Sequence, residues 1–525
     1  MTTSASKIII RLIPFSILFA FQIALGQTAS SPDSALQTIL NGLEGTRITL
    51  RQAVESGAAN ATALRSAEAT YLAAEGSVRR EEGFYDPQVF FNVNHLDNNQ
   101  PTSSLFSGAP ILNTQQTSSQ AGVRVNLPIG TRIEAGINTT RLATNSQLAS
   151  LNPEYDASGS ISLRQPLLGG FAASARKKLS TAEAGRGAEK ARFDEQVIAV
   201  KGVVERSYWD LYAAERDYAV QRLTRDRAEQ FLKETELRAQ TGLVGKNQVA
   251  SAKTFLAEQE LLLYERDEQL GRQSDLLASL IGIRPEAPAS RYVPVDVPPG
   301  DVVVGSVDSL VGTALRNNLD LQASKKDIDA ARALADAAQW EALPSVDVVG
   351  AVGGNALLGN SQVVSIPGFA PYAGPGGTFG DALQQVFKRD YPSWSVGVEV
   401  SFPIGLRSGL GEHDRLQAQV VGAEQRSIEI SRVLEQQVRA AYRELSNGKG
   451  RLTAAKNGVD AAQEQVRIGL IEFRTGRATA FELVRLGEDF AVAQQRYSDA
   501  LVRTAKAAAT LKQLLSENST ESQNQ

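Results

Sequence analysis

Between Val438 and Phe473 the sequence keeps an unbroken seven-residue step, with apolar side chains at Val438, Leu445, Leu452, Val459, Val466 and Phe473. A second row of small residues runs beside it at Ala441, Gly448, Ala455, Ala462 and Gly469. A seven-residue repeat slips slowly against the helical turn, so the seam stays on one face only if helices wind around each other left-handedly. The small row lets a neighbouring helix come close. The expectation is a long packed helix rather than a short one in a compact globule.

Other stretches obey the same logic. Helical spacing runs from Leu50 to Arg80, and again from about Ala172 to Gln240, where Val197, Val200, Val204, Tyr208 and Leu211 step by three and four. No proline interrupts that second run, and a single helix of roughly 70 residues would be about 100 Å long. Thr241-Gly242-Leu243-Val244-Gly245 breaks it, glycine supplying the positive φ that a helix end prefers. Val249, Leu256, Leu263, Leu270 and Leu277 then repeat every seven residues in a further helix. Five prolines between Ile283 and Gly300 mark a linker. Helix returns from about Val307 to Ala342 and through the heptad stretch to Arg474. Thr475-Gly476 breaks it, and a last helix carries Phe490, Tyr497, Leu501, Ala508, Leu511 and Leu515.

Strand periodicity separates these helices. Val89, Phe91 and Val93 alternate with Phe90, Asn92 and Asn94, and the same period of two runs through Val123 and Val125, Ile133 and Ile137, Ile161 and Leu163, and Val346 and Val348. Trp394, Val396, Val398, Val400 and Phe402 form the cleanest alternation. Residues 121–140 read as an extra hairpin without a counterpart in the second half. Asp97–Ser118 and Gly353–Asp390 read as loops, and Gln27 to about Gly45 as an exposed lead-in.

The order recurs. Tyr208 and Tyr442, Leu211 and Leu445, and the two Thr-Gly breaks at 241 and 475 each stand 234 positions apart (442 − 208). The expected organisation is a signal peptide at 1–26, a first repeat with its linker at 27–300, a second repeat at 301–516 and a polar tail at 517–525. The signal-peptide reading rests on Lys7 and Arg11, an apolar run from Leu12 to Leu25, and small residues before Gln27.

Composition narrows the function. A net charge of −4 with pI about 5.6 offers nothing to a nucleic acid. No cysteine occurs, which excludes disulfides, thiolate metal sites and a cysteine nucleophile. Met1 is the only methionine, so no methionine cluster points to copper. His95 and His413 are far apart and carry no ligand set around them, and Gly374-Pro375-Gly376-Gly377 lacks the context of a phosphate cradle. No catalytic residue, cofactor or metal is expected, and the chain reads as no enzyme. After the leader, no stretch is apolar enough to span a bilayer as a helix; a membrane crossing would use strands with lipid on one face and water on the other. Two or four strands cannot close a barrel, so several copies would share one.

The strand-to-helix signature Gln165-Pro166-Leu167-Leu168-Gly169, its echo Phe402-Pro403-Ile404-Gly405, the tips Thr241-Gly242-Leu243-Val244 and Thr475-Gly476, and the helix start Ile48-Thr49-Leu50-Arg51-Gln52-Ala53-Val54 together resemble the TolC-like outer membrane efflux proteins. The resemblance implies a mixed α and β membrane protein of two internal structural repeats: a homotrimer with a shared transmembrane β-barrel of twelve strands, four per chain, and a long periplasmic α-helical coiled-coil barrel. It implies an exit duct of a tripartite efflux or secretion system in the outer membrane, docked through its helix tips to a periplasmic adaptor (membrane fusion) protein and an inner-membrane pump of RND or ABC type. It places Glu482 and Arg485, with Gln248 in the first half, at the periplasmic aperture, and Thr241, Gly242, Leu243, Val244, Thr475 and Gly476 at the docking tips. Arg485 departs from the acidic character usual there, and interchain Glu482–Arg485 pairs would hold the aperture shut. Residues 121–140 do not fit a twelve-stranded trimer and are expected above the membrane or on the barrel rim. The competing class is a non-channel coiled-coil structural or adhesion protein of the cell surface, which conductance would separate from a duct.

Overall fold

The computed structural model describes residues 34–103, 107–285, 291–300, 305–366 and 368–516; the expected signal peptide and polar tail lie outside them. The first half runs α1 (Ser34–Asn41), β1 (Thr46–Ile48), α2 (Leu50–Asn60), α3 (Thr62–Glu82), β2 (Gln88–Pro101), β3 (Ile111–Asn126), β4 (Arg132–Thr144), β5 (Leu151–Pro166), α4 (Ala173–Gln240), α5 (Lys246–Ile281) and β6 (Tyr292–Pro294). The second runs α6 (Val307–Asn317), α7 (Leu319–Glu341), β7 (Ser345–Ser361), β8 (Val363–Val364), β9 (Tyr372–Ala373), α8 (Phe379–Lys388), β10 (Tyr391–Ser401), α9 (Arg407–Ser446), α10 (Gly448–Arg474) and α11 (Ala480–Leu514). Among the described residues no helix is long and apolar enough to cross a membrane.

Two compact units form. One takes its described residues from the stretch ending at Leu43, from Arg216–Tyr264 and from Thr453–Tyr497; the other comprises Glu44–Glu215, Glu265–Leu452 and the chain from Ser498 on. Each draws on both halves of the sequence.

The larger unit holds a six-stranded antiparallel sheet in the order β10-β7-β5-β4-β3-β2. Directly paired residues share a face, so register decides what each face presents. One row reads Phe91–Ala121–Ile137–Gly159–Gly354–Pro392, and the next rows on that face bring Val89, Val123, Ala135, Ile161, Val352 and Trp394 into line. Val398, Val348 and Leu163 extend the same apolar face. The opposite face carries Gln88, Arg124, Glu134, Ser162, Ala351 and Ser395 across one row. There Arg164 of β5 donates through Nε to Asp347 of β7 at 2.8 Å and pairs with Glu399 of β10 at 2.9 Å.

The sheet corrects several expectations. β2 and β3 pair continuously from Gln88–Arg124 to Pro101–Ile111, so the loop expected at Asp97–Ser118 shrinks to 102–110. β7 is seventeen residues long rather than a short strand. The Gly/Pro-rich region also contains α8, started by a capping box in which Thr378 and Asp381 exchange hydrogen bonds. Ala382 and Val386 of α8 pack on Ala157, Ala356 and Leu358, covering the apolar face near the ends of β5 and β7. The extra hairpin expected at 121–140 is part of the sheet: β3 and β4 lie between β2 and β5.

Helices correct others. The first helix divides at Ala61, and the helix of the second half divides at Asn318, both in extended backbone near ψ 125. An asparagine at or beside each break reaches the closing helix of its half. Asn60 Nδ2 donates to the Ile281 carbonyl at 3.2 Å, and Asn318 Nδ2 to the Leu514 carbonyl at 3.3 Å. Each asparagine satisfies an orphan carbonyl in the last turn of the helix that closes its own half. The heptad helix is interrupted at Asn447, where Arg451 Nη2 donates to the Glu444 carbonyl at 2.6 Å. The seam still faces inward: Val438, Leu445, Val459 and Phe473 are buried, as are Ala441, Ala462 and the Gly448 and Gly469 positions. A Cβ on Gly448 would come within 2.9 Å of Thr504 Oγ1 in α11, so the small row does permit close approach. The lead-in is not all exposed; α1 buries Leu36 completely against Ala219, Val220 and Ala491.

Part of the expected linker is ordered as well. β6 pairs in parallel with β1, and Tyr208 of α4 pins this ribbon. Its buried Oη accepts from the Val295 and Asp296 amides at 3.0 and 3.1 Å, and lies 2.8 Å from Asp296 Oδ2 and 3.1 Å from the Ile48 carbonyl as donor. Burial holds the phenol above its ordinary pKa, so it stays protonated and able to donate. Tyr208→Phe would strand the Asp296 amide in the interior, the Val295 amide keeping the Ile48 carbonyl at 3.2 Å, and an unsatisfied buried donor costs about 1–3 kcal/mol. The expected result is a lower melting temperature, with hydrogen exchange accelerated at Asp296 and unchanged at Gly242.

Candidate functional site

The smaller unit contains two helical hairpins, α4–α5 and α10–α11, and their turns are built alike. Gly242 and Gly476 adopt φ +75 and +76, left-handed values that a side chain tolerates poorly. In the first turn Leu243 N donates to the Arg238 carbonyl at 2.9 Å and Gly242 N to the Ala239 carbonyl at 3.2 Å. In the second, Arg477 N donates to the Glu472 carbonyl at 2.8 Å and Gly476 N to the Phe473 carbonyl at 3.1 Å. Both are Schellman closures, which consume the free carbonyls of a helix end. The threonines add a third bond: Thr241 Oγ1 donates to the Arg238 carbonyl at 2.9 Å, and Thr475 Oγ1 to the Glu472 carbonyl at 3.0 Å. Thr241, Gly242, Leu243, Thr475 and Gly476 are exposed, Leu243 by 75%, while Val244 is half-buried.

The two hairpins are joined by a residue that sequence reasoning missed. Arg238, near the end of α4, donates through Nη1 to the Phe473 carbonyl of α10 at 2.8 Å and through Nη2 to Glu234 at 3.1 Å. Its guanidinium carbon stands 4.3 Å from the Phe473 ring centre, and that ring packs against Phe231 at 5.5 Å. Phe231, Ala252 and Phe473 form the buried cluster beneath, with Leu483 and Val484 of α11 against it. Further along, Gln221 Nε2 of α4 donates to Gln259 Oε1 of α5 at 2.9 Å in buried surroundings.

The expected aperture residues take more specific places. Glu482 Oε2 accepts from the Thr479 amide at 2.7 Å and from Thr479 Oγ1 at 3.1 Å, while Glu482 N donates back to Thr479 Oγ1 at 3.3 Å. Glu482 therefore caps the first turn of α11, and both of its side-chain bonds use one oxygen. The Thr-x-x-Glu spacing was a visible signature of this cap. Arg485 is exposed one turn on, and Gln248 is half-buried in the first turn of α5. The three are not joined by a hydrogen bond within the chain's described contacts.

An acidic group lies farther along α11. Burial, with Glu258 of α5 and the adjacent Asp489 adding repulsion, raises the Glu488 carboxyl above its ordinary range. A raised carboxylate disfavours the folded arrangement once ionised, and the penalty disappears as pH falls through the raised value. Protection of the α11 amides around Glu488, measured relative to their intrinsic exchange rates, should therefore rise on acidification just above the ordinary carboxylate range, and Glu488→Gln should abolish that rise.

No group of three or more histidine, cysteine, aspartate and glutamate side chains among the described residues could hold a metal ion. His95 bonds Thr117 Oγ1 across β2 and β3 at 2.9 Å, and His413 lies in α9 beside Asp414 at 3.4 Å.

Residues 310–517 match the family model of the outer membrane efflux protein. No curated protein matches the sequence. Solved structures match over nearly the whole chain. The outer-membrane channel OprN is 15% identical with a TM-score of 0.62, covering 93% of this chain and 93% of that one. The CmeC outer membrane channel of Campylobacter jejuni is 12% identical at 0.61, covering 89% and 85%. The outer membrane protein VceC of Vibrio cholerae is 14% identical at 0.62, covering 89% and 96%. The fold is that of these outer membrane channels.

Proposed function

With an outer membrane efflux protein domain in residues 310–517 as the premise, we propose that three copies of this chain form an outer membrane channel, the exit duct of a tripartite efflux or secretion system. The observation that carries the reading is the sheet. Its apolar face includes exposed Val89, Phe91, Ile161, Val352, Trp394, Val396 and Val398, and the outer edges of β2 and β10 meet no further strand among the described residues. Lipid suits such a face, and sister copies suit such edges, because an open edge in hydrocarbon leaves backbone groups unpaired at several kcal/mol each. Sequence halves 27–300 and 301–516 each supply strands to the barrel and one helical hairpin to the periplasmic part.

In this reading substrate moves through the lumen and no bond is made or broken. The Thr241–Val244 and Thr475-Gly476 turns dock a periplasmic adaptor, Leu243 supplying the apolar contact, and the adaptor links the duct to an inner-membrane pump of RND or ABC type. Glu482 and Arg485, with Gln248, line the aperture. The Glu482 oxygen not used in capping meets Arg485 of a neighbouring copy and holds the aperture closed.

Purified trimers in planar bilayers should conduct ions; a stable, water-soluble single chain without conductance would overturn the channel. For the aperture, Glu482→Ala and Arg485→Ala should each raise single-channel conductance, whereas Thr479→Ala, which removes only the cap, should not. Equal effects of all three would mean that loosening α11 explains the change and that no interchain pair exists.

A further inference from the structure

We infer that the shared barrel has eighteen strands rather than twelve, with β3 and β4 as full membrane-crossing members. This rests on the trimeric channel proposed above. Three copies of a six-stranded sheet give eighteen.

The hairpin behaves as a crossing pair in three respects. Its depth is complete. β3 pairs with β2 down to Arg124–Gln88, where the chain leaves α3, and β4 pairs with β5 down to Arg132–Arg164, where the chain heads into α4. The turn between them is tied to that same end: Asn126 Nδ2 donates to the Phe84 carbonyl at 3.2 Å, and Thr131 Oγ1 donates to the Gln165 side chain. A flap would turn away from the strand–helix junctions, not rest on them.

Its faces are correct. Ala121, Val123 and Val125 of β3 and Ile133, Ala135 and Ile137 of β4 fall on the apolar side, level with Phe91 and Val89 on β2 and Ile161 and Leu163 on β5. Gln120, Arg124, Arg132, Glu134 and Asn138 fall on the polar side. The apolar belt therefore continues through the hairpin without a gap. If β3 and β4 stood in water, this face would be exposed apolar surface with nothing to cover it.

Closure is also satisfied. Five antiparallel steps separate β10 from β2, so β2 of one copy meets β10 of the next in the antiparallel sense. Both edges bring apolar residues to the same side, Val89, Phe91 and Val93 on one and Trp394, Val396 and Val398 on the other. An eighteen-stranded barrel keeps the even, all-antiparallel order of bacterial barrels. At the usual strand spacing and tilt, its Cα diameter is about 36 Å against about 24 Å for twelve strands. The consequence is a wider mouth, able to pass bulkier cargo once the periplasmic aperture opens.

Cryo-electron microscopy of the trimer in lipid nanodiscs counts the strands directly. Eighteen is expected; a trimer with twelve, the hairpin lying outside the sheet, would overturn this inference and leave the channel standing. A single chain or an open sheet would overturn the channel, and the count with it. The absence of cysteine allows a second test. In proteoliposomes, Val123→Cys and Ile137→Cys should react with a water-soluble maleimide at least tenfold more slowly than Arg124→Cys and Asn138→Cys. Comparable rates at all four would place the hairpin in water and refute the assignment, even if one variant assembled poorly.

Discussion

In the proposed trimeric channel, replacing Arg238 with alanine should open the end formed by the helix turns, raising single-channel conductance several-fold while leaving assembly intact. Three interactions are lost at once. The charge-assisted hydrogen bond from Nη1 to the Phe473 carbonyl contributes about 1.5–3 kcal/mol. The cation–π contact with the Phe473 ring adds about 0.5–1 kcal/mol. The Glu234 pair is partly exposed and adds little. Together about 2–4 kcal/mol of coupling between α4 and α10 disappears, enough to shift a closed–open equilibrium by one to three decades. Arg238→Lys separates the causes, since an ammonium keeps the charge but lacks the planar fork. It should give an intermediate conductance. Amide exchange should quicken at Arg477 and Ala478, whose turn hangs on the same helix end, but not at Val295 in the larger unit. Unchanged conductance with accelerated exchange would show that the two hairpins are coupled yet do not gate.

What could be read in advance depended on how local the signal was. The heptad rows from Val438 to Phe473 and the glycines at 242 and 476 declare themselves through spacing and backbone chemistry alone, and the structure buries the former and gives the latter positive φ. The strand β10 was legible for the same reason, its parity being set by Trp394, Val396, Val398 and Val400. Beyond the apolar belt that signal fades. Asn98, Asn99, Thr114 and Gln115 carry no alternation of hydrophobicity, because both faces of β2 and β3 are polar there, so paired strand was mistaken for loop. Helix α8 was hidden by the glycines and prolines just before it, although Thr378 and Asp381 stood at capping-box spacing. Glu482, expected at the aperture, is also a cap, which Thr479 three residues earlier marks. Arg238 and the paired asparagines at 60 and 318 act across long separations, and no local pattern in the sequence announces a partner carbonyl hundreds of residues away.

Parity also sets the second large effect. In the proposed trimeric channel, Val396→Arg should abolish insertion into the membrane, whereas Ser395→Arg, the neighbouring residue on the same strand, should be tolerated. Val396 lies opposite Gly350 on the apolar side, 74% exposed, in the middle of the belt. A guanidinium facing lipid near the midplane costs about 2–4 kcal/mol per chain. Three copies multiply that to about 6–12 kcal/mol, comparable to the entire stability of an ordinary fold. Ser395 pairs with Ala351 on the opposite side, among polar neighbours, where an added cation meets water. Heat-modifiable mobility on gels and outer membrane fractionation measure the difference: the first variant should remain as unassembled chain and the second should migrate as trimer. The comparison is sharp because β10 is an edge strand that must also pair with the next copy. A charge there is the device by which soluble sheets prevent edge-to-edge association, so the same substitution that repels lipid also discourages closure. Equal assembly of the two variants would mean that neither side of β10 meets hydrocarbon, and the belt would need another occupant.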